Sequence, residues 1–314
     1  MEGAPLYEDV ADAPEGGEAR WLTTSDGVRI RAAFWRPAAP APTTGSVILF
    51  PGRTEYVEKY GRAARHYTRA GYAVLVADWR GQGLSPRALP DRRLGHVLTF
   101  SEYQRDVAAV VDFAKRCGLP EPWYLVGHSM GGCIGLRALI EGLPVRAAAF
   151  SAPMWGVKLA AWEVPMAWSS ALFAPLVGLG GRLTPRAGIE HLVSDGTFDG
   201  NELTTDRQMW GYMKAQTDRY PDLILGGPTL SWLRAALLET TWLARKPAPA
   251  MAAMTFLGTH ERLVSTGAVR RRMGHWPGAR LEIVPAAEHE IMMERADVRQ
   301  RFFDASTDLF AAHA

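Results

Sequence analysis

Cysteine is almost missing from this chain: Cys117 and Cys133 are the only two in 314 residues. They are too few and too far apart for a disulfide framework or a zinc site, which favours a reducing compartment such as the cytoplasm. Neither sign of charge prevails, since 35 Lys and Arg stand against 33 Asp and Glu, a net charge of +2. That balance excludes a nucleic-acid partner bound through a basic surface. The densest basic run, Arg270-Arg271-Arg272, reads as a solvated helix face. A secretory start is also lacking. Met1 to Arg20 is acidic and rich in Gly, Ala and Pro, without a basic beginning or an apolar run, so residues 1–19 are expected to form a flexible leader. Long apolar runs are scarce as well. The uncharged stretch Val164–Gly181 is near the lower limit for crossing a bilayer, but Pro165, Pro175 and its glycines interrupt any single helix. A buried or interfacial segment is the expected outcome.

Hydrophobic residues make up 47% of the chain, enough apolar mass for a large core. Arg20–Thr24, a Ser25-Asp26-Gly27 turn and the alternating run Val28–Trp35 read as a strand–turn–strand unit. Ala38–Gly45, rich in Pro and Thr, reads as a loop. Strand-length apolar runs then alternate with helix-length segments. Val47–Phe50 precedes a helix near Glu58–Ala70, Ala73–Ala77 one near Glu102–Cys117, and Trp123–Val126 one from about Met130, before a strand at Ala147–Phe150. Strands apolar throughout, alternating with helices, predict an α/β fold with a mostly parallel sheet flanked by helices on both faces.

The rhythm stops after Ser151 and resumes after Pro247-Ala248-Pro249, with strands at Met254–Leu257 and Leu281–Val284 and helices near Val269 and Val298–Ala311. Between them lie six of the eleven tryptophans and helical stretches punctuated by Pro and Gly. The expected organisation is one core, residues 20–152 and 247–314, interrupted by a helical cap over 153–246.

Gly127-His128-Ser129-Met130-Gly131 sits between a strand and a helix and fits the G-x-S-x-G nucleophile elbow of α/β hydrolases. Small residues two before and two after the serine let the chain turn sharply, lifting the hydroxyl clear of the sheet. A serine hydroxyl needs a base to take its proton, and in this fold the chain order is serine, acid, histidine. Of the eight histidines, His289 lies just beyond the last strand and is the expected base. Glu261, in the loop after Met254–Leu257, is the expected acid, with Glu288 and Glu290 as rivals by proximity. The N–H groups of Met130 and of Arg53, in the loop after Val47–Phe50, are expected to form the oxyanion hole. Nothing in the pattern calls for a metal or an organic cofactor.

These residues carry a resemblance. Phe50-Pro51-Gly52-Arg53-Thr54-Glu55, Asp78-Trp79-Arg80-Gly81-Gln82-Gly83-Leu84-Ser85 and the elbow resemble the monoacylglycerol-lipase-like serine hydrolases, and among them most of all the bacterial lysophospholipase branch. Gly95-His96-Val97, Ser151-Ala152-Pro153-Met154, Gly226-Gly227-Pro228-Thr229 with Trp232, Glu261-Arg262-Leu263-Val264 and His289-Glu290-Ile291 extend the likeness from about Ser25 to the C-terminus. Two positions depart from the family at large: Pro51-Gly52 stands in place of His-Gly, and Glu261 in place of Asp. The lysophospholipase branch is similar to this chain at both. The resemblance implies hydrolysis of a carboxylic ester on a single-acyl glycerolipid, a lysophospholipid or a monoacylglycerol. Consistent with a lipid substrate, the cap tryptophans and Val164–Gly181 suit an acyl tunnel or peripheral contact with the inner membrane face. Two other readings fit the same motifs: an aminopeptidase, with Asp195, Asp199, Glu202 or Asp206 holding the substrate amine, and a ligand-binding protein that keeps the triad without turnover.

Overall fold

The computed structural model describes residues 1–38, 43–160, 162–185 and 188–314. Part of the loop expected at Ala38–Gly45 therefore lies outside the described residues.

Eight strands form one sheet: β1 (Glu18–Thr23), β2 (Arg29–Trp35), β3 (Gly45–Phe50), β4 (Tyr72–Asp78), β5 (Trp123–His128), β6 (Ala147–Ser151), β7 (Ala252–Gly258) and β8 (Arg280–Val284). Their spatial order is β1-β2-β4-β3-β5-β6-β7-β8. The β1–β2 hairpin joins β4 antiparallel, and every later pairing is parallel. This is the α/β-hydrolase arrangement. The helices are α1 (Glu8–Ala11), α2 (Gly61–Arg69), α3 (Ser101–Arg116), α4 (Ser129–Ile140), α5 (Glu163–Phe173), α6 (Arg207–Arg219), α7 (Leu230–Ala244), α8 (Thr266–Gly274) and α9 (Ala296–Ala311).

The continuous apolar character of the inner strands follows from burial on both faces. Along β3, Ile48 and Phe50 enter one hydrophobic cluster with α3, α4 and α8, while Val47 and Leu49 enter the opposite one with α2 and α9. Leu75 against Val74 in β4, and Leu125 against Val126 in β5, divide the same way.

No strand of the sheet falls between β6 and β7 among the described residues, where the chain runs through α5, α6 and α7. α5 and α7 pack on each other, whereas α6 packs elsewhere. α7 puts Trp232, Ala235, Ala236 and Leu243 into the core cluster beside α4, and its Glu239 takes an ion pair from Arg137 of α4 at 2.8 Å. α6 instead builds a small cluster with Val193, Leu203 and Met293, and α5 packs Ala167 and Ala171 on Leu237. The uncharged Val164–Gly181 stretch breaks into α5 and a 3-10 turn, Ala174–Val177, ended by Gly178 in the left-handed region. No described helix is long and apolar enough to cross a membrane.

The leader differs from expectation, because its polar groups find protein partners. Ala4 N–H donates to Ala19 O at 3.0 Å, Trp21 N–H to Glu2 O at 3.1 Å, and Tyr7 N–H to Glu58 at 3.1 Å. The Tyr7 ring stacks on Tyr220 with centroids 3.6 Å apart, and Asp12 pairs with Arg62 at 2.8 Å. Composition pointed to a loose segment, but the partners come from distant parts of the chain.

Candidate active site

The site forms where the parallel strands end. β5 passes directly into α4 at Ser129, whose φ of 49° lies in the left-handed region. A non-glycine residue there is strained by roughly 1–3 kcal/mol, which the packed turn must hold in place. Gly131 permits that turn, since a Cβ on it would overlap the carbonyl oxygen of Phe50. Met130 sits in the first turn of α4, where backbone N–H groups have no intrahelical acceptor. The loop after β3 brings Arg53 to the same cavity, of about 220 Å3, which Ser129, Met130 and His289 also line. Met154, Val157, Met213, Trp232 and Leu203 give it apolar walls.

His289 lies beyond β8, and its Nδ1 is 2.6 Å from Oε2 of Glu261 in the loop after β7. The other oxygen of Glu261 accepts from the N–H groups of Leu263 at 2.6 Å and Val264 at 2.9 Å. Burial raises the Glu261 carboxyl, but the adjacent imidazole and these amides outweigh it and hold the group below the usual glutamate range. The two rivals are engaged elsewhere. Glu288 accepts from Arg262 at 3.0 Å, and Glu290 from Lys59 at 2.6 Å. Of the three glutamates, Glu261 is the one hydrogen-bonded to the imidazole.

The sequence reading passed over a buried charge cluster behind these residues. Lys59 Nζ donates to Glu55 and to Glu290, both at 2.6 Å. Tyr60 OH and the Gly52 N–H also donate to Glu55. His128 Nε2 stands 3.2 Å from Glu290, within ion-pair range but off the line of a straight hydrogen bond. Its Nδ1 faces Ser151 O and Oγ, each at 3.0 Å. Burial alone would lower Lys59, yet Glu290 and Glu55 hold it above the usual lysine value. Burial likewise opposes charge on His128, and the same two carboxylates raise it. Glu290 lies well below the glutamate range: burial raises it, and Lys59 and His128 prevail. The Glu55–Lys59 spacing of four residues was the available signal; its connection to Glu290 required the fold. His191, also in the cavity wall, is pushed down to about 4, chiefly by burial, and is neutral at pH 7.

Glu55, His128 and Glu290 lie close enough together to hold a metal ion, but the Lys59 ammonium bridges both carboxylates. That donor set fits a cation already supplied by the protein.

The acids considered for an amine site are engaged outside the cavity lining. Asp195 accepts from the His191 N–H at 2.8 Å and pairs with Arg93. Asp199 pairs with Arg207 at 3.0 Å, and Glu202 lies 3.8 Å from Arg262. Asp206 caps α6 and pairs with Arg299 at 3.0 Å.

Residues 41–296 match the family model described as "Serine aminopeptidase, S33". The chain is 31% identical to lysophospholipase L2 of Escherichia coli over 284 residues, 85% of this chain and 80% of that protein. Its fold is similar to a soluble variant of monoglyceride lipase from Saccharomyces cerevisiae, with a TM-score of 0.72 at 19% identity over 93% of this chain and 94% of the other. It is also similar to the monoacylglycerol lipase of Paleococcus ferrophilus, with a TM-score of 0.68 at 18% identity over 91% and 99%.

Proposed function

The chain belongs to the serine aminopeptidase S33 family of α/β hydrolases, and from its likeness to lysophospholipase L2 within that fold we propose that it is a carboxylic ester hydrolase acting on single-acyl glycerolipids. The observation that carries the chemistry is the 2.6 Å contact between His289 Nδ1 and Glu261, in a cavity shared with the strained Ser129.

In this reading Ser129 Oγ attacks the ester carbonyl while His289 Nε2 takes its proton. The N–H groups of Arg53 and Met130 hold the oxyanion. His289 returns the proton to the leaving glycerol oxygen, and the acyl group remains on Ser129. A water then loses a proton to His289 and attacks the acyl carbonyl. Free carboxylic acid leaves, and the proton returns to Ser129. Glu261 fixes the tautomer and offsets the positive charge on the imidazole.

A lipid substrate is supported by the apolar walls and by the names of the relatives. The cavity of about 220 Å3 is smaller than the roughly 300–1,000 Å3 of ordinary ligand sites, so a long acyl chain extends beyond it. Val157 links the cavity wall to the inner face of α5, and beyond α5 lies an exposed apolar face. Phe173, Leu176 and Val177 there are 66%, 79% and 69% exposed. A patch of this kind suits a lipid surface, and the part of residues 153–246 around α5 then acts as the lid through which a membrane-borne substrate enters.

Amide hydrolysis at a free N-terminus is the weaker reading. The two acids in the cavity wall, Glu55 and Glu290, are already bonded to Lys59, and Arg53 would repel a substrate ammonium.

The test is hydrolysis of a lysophospholipid, a monoacylglycerol and an alanyl p-nitroanilide by the purified protein. Ester turnover well above anilide turnover is expected. The reverse order would overturn the esterase reading.

A further inference from the structure

Arg53 does more than present its backbone N–H. Its half-buried side chain forms part of the wall of the cavity that also holds Ser129. Nη1 donates to Gly226 O at 2.7 Å, and the guanidinium carbon stands 5.6 Å from the centre of the Trp232 ring. Glycines make the seat: a Cβ on Gly95 would press on Nη1, and one on Gly226 would overlap the Ile189 carbonyl. The backbone of the two glycine segments is knitted together, with Gly95 N–H donating to Gly227 O at 2.9 Å and Gly226 N–H to Arg93 O at 2.7 Å. The Gly95-His96-Val97 and Gly226-Gly227-Pro228 motifs thus meet at the side chain of Arg53.

No carboxylate pairs with this cation among the described residues. The other charged residues in the wall satisfy one another, since Glu55 and Glu290 share Lys59. Burial pushes the Arg53 guanidinium down to about 10, which leaves it protonated at neutral pH. One of its five N–H donors is taken by Gly226. A half-buried cation with no carboxylate partner leaves its free donors open to an anion in the cavity, and a guanidinium offers paired donors matched to phosphate oxygens.

We propose that the Arg53 side chain is the head-group site: it takes the phosphodiester of a lysophospholipid whose ester carbonyl lies at Ser129. This rests on the esterase reading above and narrows it, from single-acyl glycerolipids in general to those bearing phosphate.

Two measurements test it. First, kcat/KM is compared for a lysophospholipid and a monoacylglycerol of the same acyl chain, in the native protein and in Arg53→Met and Arg53→Lys. Removing a charge-assisted hydrogen bond from a complex lowers affinity by roughly tenfold to a hundredfold. The lysophospholipid-to-monoacylglycerol ratio should therefore fall at least about tenfold in Arg53→Met and less in Arg53→Lys. Second, sn-glycerol 3-phosphate is tested as a competitor of p-nitrophenyl ester hydrolysis by the native protein, beside glycerol and hexanoate. Inhibition by the phosphate ester at concentrations where glycerol has no effect is expected. An unchanged substrate ratio in the variants would overturn the proposal, as would equal inhibition by glycerol. Inhibition by hexanoate as strong as by glycerol 3-phosphate would also overturn it, reassigning the cation to the released fatty acid. If the p-nitrophenyl ester is hydrolysed but neither lipid is, the glycerolipid reading fails, and the competition assay still decides whether Arg53 binds phosphate.

Discussion

Lys59 Nζ lies 2.6 Å from Oε1 of Glu290, the residue that directly follows His289. The same ammonium reaches Glu55 at 2.6 Å, and Glu55 accepts from the Gly52 N–H beside Arg53. With His128 next to Ser129 facing Glu290 at 3.2 Å, one buried cluster stands behind the serine, the histidine and the loop after β3. Pairs this deeply buried often add little net stability when present, but removing one partner leaves a buried charge without compensation.

Lys59→Met should therefore lower unfolding free energy by about 3–5 kcal/mol, leaving Glu55 and Glu290 facing each other. Denaturant unfolding at neutral pH checks it. A loss under about 1 kcal/mol would mean that the cluster is hydrated or rearranged.

The Glu290 shift has a definite sign. Its carboxyl is held well below the glutamate range by Lys59 and His128 against burial. Its contribution is therefore fully present above the unfolded value of about 4.3, and it is lost as pH falls through the folded value. Glu290→Gln should be less stable than the parent at pH 6, and the gap should close as pH drops below about 4. A gap independent of pH from 3 to about 6 would contradict the ionised assignment.

Glu261→Gln should reduce kcat by roughly a hundredfold or more, because an amide can neither fix the His289 tautomer nor offset its charge. Glu288→Gln should cost much less, since Glu288 is turned to Arg262 at 3.0 Å. Steady-state kinetics on a short ester, with thermal melts of each variant, separate catalysis from folding. A crippled Glu288→Gln beside a mild Glu261→Gln would reverse the assignment.

The core was legible because its signals are local. β3, β4 and β5 are apolar at nearly every position, as strands covered on both faces must be, and the elbow is one contiguous motif. Glu261 could be named from its place after a strand, yet separating it from Glu288 and Glu290 needed to know which side chain turns toward His289. The charge cluster was illegible for the same reason: Lys59 and Glu290 are distant in sequence and meet only when the sheet closes. The leader was misread because Tyr7 and Asp12 look solvated until Tyr220 and Arg62 are brought to them. Nor did composition distinguish α7, which packs against the core, from α5, which turns Phe173 outward.

Phe173→Ser combined with Leu176→Ser should weaken association with anionic liposomes, because the two side chains together bring large apolar area to the exposed face. Co-sedimentation with vesicles reads the effect, and a melting temperature close to the parent's shows the fold is kept. Equal co-sedimentation of parent and variant would place membrane contact elsewhere, or nowhere.

The most direct test of the account is hydrolysis of a long-chain lysophospholipid by the native protein and by Ser129→Ala, with released fatty acid quantified. The native protein should turn over, and Ser129→Ala should be slower by at least about a thousandfold while remaining folded, since only the oxyanion donors and binding would persist. Turnover within about tenfold of the native rate would contradict Ser129 as the nucleophile, and with it the mechanism built around His289 and Glu261.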